Sequence, residues 1–290
     1  MKRDESSRAR AMQSIAWPAF LADALRGSSR RHEDLRRRCM HKASKRSIHD
    51  LRIETRRQLA LVALAGEVCG APTDKICRSL ERCMHDTTKL RDARVQLDQV
   101  EAMFPEHPEL RAFRRRSRKW IDCHRADIER KLGRRKKKLS KHARSLAAVV
   151  RVPSEGRQAG LTVVHVLRAA FVDARKLSLL AHQSGEQLHR ARLALKRLRY
   201  RAEALRGVVP GVTVAWTKKL HRMQGAMGDI HDLAILARRL AEYMEQRPHE
   251  GRRLRGVQII IANREQRLLR AFQSRLPLPP TQLRRILVAL

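Results

Sequence analysis

Residues 188–200 read LHRARLALKRLRY, a pattern that fits an α-helix with two different faces. Leucine and alanine recur every three or four residues here and just beyond, at Leu188, Ala191, Leu195, Leu198, Ala202 and Leu205. An apolar stripe with this spacing faces a protein core. Beside it runs a second stripe of cationic or ionisable side chains, His189, Arg192, Lys196 and Arg199. The stretch therefore predicts a helix that packs on one face and presents positive charge on the next.

The same pattern occurs 140 residues earlier, where residues 49–57 read HDLRIETRR. A second pair of segments, beginning at Leu80 and Leu220, keeps the same offset. The aligned pairs are His49 and His189, Arg52 and Arg192, Arg56 and Lys196, Arg57 and Arg197, Arg82 and Arg222, and Asp92 and Asp232. Because two separate motifs keep one register, the sequence predicts an internal duplication.

Helix-forming residues dominate between sparse proline and glycine breaks, and no long stretch alternates with the two-residue period of a strand. The predicted helices span residues 15–43, 46–69, 73–103, 108–147, 161–182, 185–207, 212–246 and 249–276. This order predicts an all-α fold of two four-helix bundles. The predicted parts are an N-terminal tail (1–14), a first half (15–150), a linker (151–160), a second half (161–277) and a C-terminal tail (278–290). Two such halves, packed about a pseudo-twofold axis, can bring their basic stripes to one cleft.

The net charge is the strongest signal in the composition. The chain carries 65 Lys and Arg against 29 Asp and Glu, a formal charge of +36, while hydrophobic residues make up 42% of it. The apolar content predicts a folded core, and the self-repulsion of so much positive charge predicts an anionic partner. Aromatic residues make up only 3%, whereas proteins that bind single-stranded nucleic acids stack bases on aromatic side chains. The composition therefore favours a polyanion without bases.

The basic stripes allow two interpretations. A charged stripe on one helix is ordinarily a solvated surface, but its repetition in register favours binding. Arginine offers a planar fork of donors that matches phosphate oxygens, and lysine adds a mobile point charge. Since Asp92 and Asp232 would repel an anionic ligand, we expect them to fix a neighbouring arginine or histidine. A metal ion bridging carboxylate and phosphate is disfavoured, because GDIHD (228–232) has no histidine in its first-half match, KLRD (89–92).

Catalytic and targeting motifs do not occur in the sequence. Without a GxxxxGK[ST], GxSxG or HExxH segment, the sequence predicts a non-enzymatic protein with no metal ion or cofactor. Five cysteines without CxxC spacing predict reduced thiols in a cytoplasmic protein. No apolar run reaches the roughly 18 residues of a transmembrane helix, and residues 1–14 lack the apolar region of a signal peptide. The basic run 130–141 predicts either a solvated extension or added reach toward a long polyanion.

Four segments resemble the CHAD family, the conserved histidine α-helical domain. They are HDLRIETRR (49–57), LRDARV (90–95), LHRARLALKRLRY (188–200) and MQGAMGDIHDLAIL (223–236), and the similarity extends from about residue 15 to 276. The resemblance implies two four-helix bundles related by a pseudo-twofold axis around a basic central cleft or pore. It also implies binding of inorganic polyphosphate, often at polyphosphate granules. The ExExK segment of catalytic domains fused to some family members does not occur, which favours a standalone binding module.

The residues that the resemblance implies as polyphosphate ligands come from both halves of the chain. They are His49, Arg52, Arg56, Arg57, Arg82, His189, Arg192, Lys196, Arg197, Arg199 and Arg222, with Asp92 and Asp232 in a supporting structural role.

Other functions are compatible with the same residues. The charge permits binding of RNA or DNA, which we expect to be a weaker electrostatic competitor because aromatic residues are few. A phosphatase or phosphotransferase could use His49 or His189 as a phospho-acceptor, although no general base accompanies them in the sequence. Attachment to a storage-granule or membrane surface is compatible with polyphosphate binding.

Overall fold

In a computed structural model, which describes residues 15–134, 150, 156–181 and 183–274, the described chain forms eight α-helices and no strand. The helices are α1 (Trp17–His41), α2 (Lys45–Cys69), α3 (Asp74–Met103), α4 (Arg111–Arg134), α5 (Gly156–Leu180), α6 (Gly185–Leu205), α7 (Val214–Gln246) and α8 (Pro248–Ser274). A short 3-10 turn, Pro108–Leu110, precedes α4. The predicted all-α fold is therefore confirmed.

Capping residues explain why helices of the two halves begin at matching positions. Ser44 caps α2 by accepting a hydrogen bond from the backbone N–H of Ser47, at 3.0 Å. Ser184, 140 residues later, caps α6 in the same way, at 3.1 Å from the N–H of Gln187. Such caps satisfy donors that the first helical turn leaves unpaired. As a result α2 and α6 begin in the same register, at Lys45 and Gly185.

One helix begins earlier than its sequence predicts. Gly156 starts α5 inside the segment 151–160 that was expected to be a linker. Ala159 is only 2% exposed, and Val163 and Leu167 follow it into the core on the same face. Burial of this face therefore outweighs the low helix propensity of the two glycines in the segment. The outer parts of the predicted linker, tails and fourth helix, namely 1–14, 135–149, 151–155 and 275–290, lie outside the described residues.

The helices that carry the repeated motifs meet at the centre of the protein. Within each half α1 packs along α2, and α5 along α6. Between the halves α2 packs against α6 and α5, and α3 packs against α7. The last helices differ, since α4 packs against both α3 and α1 whereas α8 packs chiefly along α7. This packing places the basic faces of α2 and α6 beside the α3–α7 contact.

The apolar cores do not follow the division of the chain into halves. In the largest core, Leu21 of α1, Leu64 of α2 and Leu80 of α3 belong to one cluster with Phe171 of α5 and Leu195 of α6. A second core lies among α1–α4. A third joins the end of α3 and the start of α4 to α7 and α8. Since two of these three clusters of described residues cross the halves, the halves share their interior.

Among the described residues, every helix is too short or too polar to span a membrane.

Candidate functional site

The basic stripes of α2 and α6 converge. His49 and His189 are each the fifth residue of their helix, because the two serine caps set the same starting register. Arg52 and Arg56 follow His49 along α2, and the matching side chains follow His189 along α6.

Lys196 shows most directly that the two stripes meet. Its side chain is mostly buried. Burial and the positive charges of Arg56, Arg192, Arg91 and Arg52 lower the pKa of Lys196 to about 6. Two of these arginines, Arg52 and Arg56, come from α2, and Arg91 comes from α3, so cations of both halves surround one ammonium group. At neutral pH the free protein therefore holds Lys196 mainly in its neutral form.

We call this assembly the central cluster. Its members are His49, Arg52, Arg56, Arg91, Asp92, His189, Arg192, Lys196, His231 and Asp232.

Arg91 of α3 connects the halves within the central cluster. Its Nη1 lies 3.0 Å from Oδ1 of Asp232 and its Nη2 3.1 Å from Oδ2, a paired contact with α7. The same Nη1 lies 3.0 Å from Oδ1 of Asp92. Burial lowers the pKa of Arg91, but the hydrogen bonds and charges of Asp232 and Asp92 outweigh it and raise that pKa overall. Both carboxylates of the central cluster thus hold one arginine in place.

The aligned arginines Arg52 and Arg192 have different surroundings. Nη1 of Arg52 donates to the carbonyl oxygen of Met84 at 2.8 Å and to the hydroxyls of Thr87 and Thr88 at 2.9 and 3.0 Å. Arg192 is equally buried, at 8% against 7% exposed, yet its buried Nε has no acceptor in the described ranges. Burial is the largest cause that lowers the pKa of both arginines. The pKa of Arg52 falls to about 10.

The histidines of the central cluster are held largely neutral at pH 7. His49 and His189 are exposed, and burial of part of each ring together with nearby arginines lowers both pKa values. The His231 ring lies 5.7 Å from that of His189, and burial and the charge of Arg192 lower its pKa to about 4. Each neutral ring carries one donor and one acceptor nitrogen. A bound anion would favour protonation and convert both nitrogens to donors.

Arg57, Arg197 and Arg199, which the motif implies as ligands, are paired with carboxylates instead. Arg57 lies 3.5 Å from Glu54 and 3.6 Å from Glu203. Arg197, its aligned partner, donates to Asp173 at 3.1 Å.

Arg199 is buried away from solvent, at 4% exposed. Its Nη1 lies 3.4 Å from Oε1 of Glu203 and within hydrogen-bonding distance of Nδ1 of His221, and its guanidinium stacks on the Tyr200 ring. Glu203, one turn after Arg199 on α6, thus neutralises arginines of both halves.

Arg82 and Arg222 are exposed on α3 and α7. Each precedes the aspartate of its helix by ten residues, which is about 15 Å along the helix axis. In the described part of the basic run 130–141, Arg130 and Lys131 pair with Asp127.

Two members of the central cluster, Arg91 and His231, were not predicted from the sequence. They occupy aligned positions at the same offset of 140, directly before Asp92 and Asp232. The offset was thus the signal that could have identified them.

The chemistry of the central cluster suits an anion with several charges. Four arginines, Arg52, Arg56, Arg91 and Arg192, and the ionisable amine of Lys196 lie together with two carboxylates, which both contact Arg91. Among the described residues no group of three or more His, Cys, Asp or Glu side chains is arranged to hold a metal ion.

The comparisons with known proteins agree with this architecture. The family model of the CHAD domain matches residues 19–241. The crystal structure of the CHAD domain from the plant Ricinus communis matches with a TM-score of 0.68 and 18% sequence identity, over 92% of this chain and 94% of that one. No curated protein matches the chain.

Proposed function

The chain belongs to the CHAD domain family, and we propose that it binds inorganic polyphosphate at the central cluster. The observation that carries the proposal is the surrounding of Lys196 by four arginines drawn from both halves. Gathering like charges in a partly buried place opposes folding, and a polyanion would relieve that repulsion. A ligand with a charge at each repeat can contact arginines of both halves at once.

A polymer of phosphates fits the described surroundings better than a nucleic acid. Bases would need planar surfaces, but Trp17 and Phe171 are fully buried in the core. Trp120 is also occupied, because it stacks on His124 with ring centroids 3.8 Å apart. Arginine forks and a lysine supply contacts to phosphate oxygens without reading a base.

We propose binding without turnover, in the cytoplasm and at polyphosphate granules. Both carboxylates of the central cluster accept hydrogen bonds from Arg91, which supports a structural role for them rather than a catalytic one. A protein bound to long-chain polyphosphate would be retained wherever that polymer accumulates.

A competition experiment tests the ligand class. Fluorescently labelled long-chain polyphosphate is titrated with the full chain, and unlabelled polyphosphate, RNA or duplex DNA is added at equal phosphate concentration. We expect polyphosphate to displace the probe at far lower concentration than either nucleic acid. Binding should also weaken steeply as salt rises, because each phosphate contact releases counterions. If RNA or DNA displaces the probe as well as polyphosphate does, the protein is a nucleic-acid-binding protein instead.

A pair of double variants tests the location of the site. Arg56→Gln with Lys196→Gln removes two groups that would be cationic beside a bound polyanion, and Arg57→Gln with Arg197→Gln removes two charges that are paired with carboxylates. We expect the first variant to lose at least about tenfold in affinity, as loss of two charge-assisted contacts implies. The second variant is the matched control and should lose much less. Equal losses would place binding on the general surface charge.

Incubation of the protein with long-chain polyphosphate and Mg²⁺ tests whether the protein also cleaves the polymer. We expect no orthophosphate and no shortening of the polymer on a gel. Release that depends on His49 or His189 would make the protein an enzyme. In cells that form polyphosphate granules, a fluorescent fusion should coincide with them, and the Arg56→Gln, Lys196→Gln variant should be diffuse.

A further inference from the structure

The two halves differ at the positions that face their aligned arginines. On α3, Thr87 and Thr88 supply hydroxyl acceptors to Arg52. At the offset of 140 residues, α7 has Met227 and Gly228, which have no side-chain oxygen. Burial lowers the pKa of Arg192, and among nearby charges Asp232 opposes that shift most. Asp232 lies one turn after Gly228 on α7, so Arg192 is close to this part of the helix.

We infer that the halves bind the polyanion unequally: Arg192 and Lys196 of the second half contact it, whereas Arg52 braces α2 against α3. The inference rests on the proposed function and assigns different tasks to positions that the duplication makes equivalent.

The hydrogen bonds support this division. For Nη1 of Arg52 to bind a phosphate oxygen, it would have to give up three internal acceptors. Arg192, in contrast, donates no hydrogen bond to any described residue, and its Nε is a buried donor without an acceptor. An anion that contacts Arg192 therefore displaces no internal acceptor, whereas one that contacts Nη1 of Arg52 displaces three.

Arg91 is less suited than Arg192 to contact the polyanion. Asp92 and Asp232 oppose its charge directly, at 3.0 Å from its Nη1. Lys196, in contrast, has cations as its strongest electrostatic neighbours. Within the central cluster Arg91 is thus paired with carboxylates, whereas no carboxylate pairs with Arg192 or Lys196 of α6 or with Arg56 of α2 among the described residues.

Gly228 allows a direct test, because a Cβ added there would meet nothing within 4 Å. Gly228→Thr would place a hydroxyl group on α7 at the position aligned with Thr88 of α3. We expect this variant to lose at least about tenfold in affinity for long-chain polyphosphate, since the new hydroxyl competes with phosphate for Arg192.

Two control variants separate this effect from a change in helix propensity. Gly228→Ala removes the glycine without adding an acceptor. Gly225→Thr adds threonine elsewhere on α7, where a Cβ also meets nothing within 4 Å. Both should raise the melting temperature, because glycine is a poor helix former, and both should bind polyphosphate within about threefold of wild type. If they bind as weakly as Gly228→Thr, or if Gly228→Thr binds like wild type, the inference is wrong.

Arg52→Gln and Arg192→Gln supply a second readout. Arg52→Gln should lower the melting temperature, because it removes a buried contact between helices, and it should weaken binding several times less than Arg192→Gln does. Arg192→Gln should keep or raise the melting temperature and weaken binding by at least about tenfold. Equal losses of affinity would overturn the division of tasks. Failure of the wild-type protein to bind polyphosphate would overturn the proposed function, while the two melting temperatures would still test whether Arg52 is a brace.

Discussion

Polyphosphate binding should take up protons from solvent, and Lys196 should account for about one of them. In the free protein burial and four arginines lower its pKa to about 6, so at pH 7.5 only a few per cent of the molecules carry its charge. A polyanion beside the ammonium group favours the charged form and raises the pKa toward its ordinary value of 10.5. Lys196 thus passes from nearly neutral to charged when the ligand binds.

The magnitude follows from proton linkage. One proton taken up on binding makes the dissociation constant rise by up to about tenfold for each pH unit above the pKa of the free group. With a pKa of about 6 in the free protein, the affinity should therefore fall as pH rises from 6.5 to 8.5. His231, with a pKa of about 4, should add a smaller uptake at the acid end of that range.

Calorimetry measures this uptake directly. Long-chain polyphosphate, whose internal groups stay ionised in this range, is titrated into the protein in buffers of different ionisation enthalpy at pH 7.5. The slope of the observed enthalpy against the buffer enthalpy gives the number of protons. Lys196→Met should reduce that number by about one. If wild type shows no buffer dependence, or if Lys196→Met takes up as many protons as wild type, Lys196 is not at the binding site or is already charged in the free protein.

Three further predictions concern the protein without ligand. The free energy of unfolding should rise with pH between about 6 and 10.5, because the unfolded chain binds the Lys196 proton there and the folded chain does not; in urea titrations Lys196→Met should flatten this slope. Asp232→Asn should cost about 1–3 kcal/mol, since Arg91 loses its paired carboxylate, whereas Asp173→Asn, in an exposed pair, should cost under about 1 kcal/mol. Ser184→Ala should cost about 1 kcal/mol through loss of the cap, and Ser184→Gly only a few tenths.

The helices were predictable because their ends depend on local chemistry. The predicted helix 73–103 is Asp74–Met103 in the structure, and 185–207 is Gly185–Leu205. Serine and threonine before a helix, and proline or glycine after it, act within a few residues, so the sequence contains the signal. The start of α5 at Gly156 was missed because it depends on where Ala159 is buried, which is a property of the assembled core.

The site was predictable only in part. Periodicity placed cations on one face of α2 and α6, but it cannot show which cations find a carboxylate. Arg199 lies on the predicted stripe, yet it is buried against Glu203 and His221. Arg91 lies outside the stripes and becomes central because α3 crosses to meet Asp232 on α7. Pairing of charges is decided by contacts between helices, and those distances are not in the sequence.

A duplicated basic helix packed against its own copy brings like charge to like charge. Arg56 and Lys196 occupy aligned positions, and Arg56 is the charged neighbour that lowers the pKa of Lys196 most. Exact symmetry would leave every such pair repelling, and the chain departs from it at Arg91, whose aligned residue is His231. Arg91 holds both aspartates and joins the halves. The cations that remain repel one another in the free protein, and because a bound polyanion would remove this repulsion only in the folded state, the proposed function would convert the same unfavourable energy into affinity.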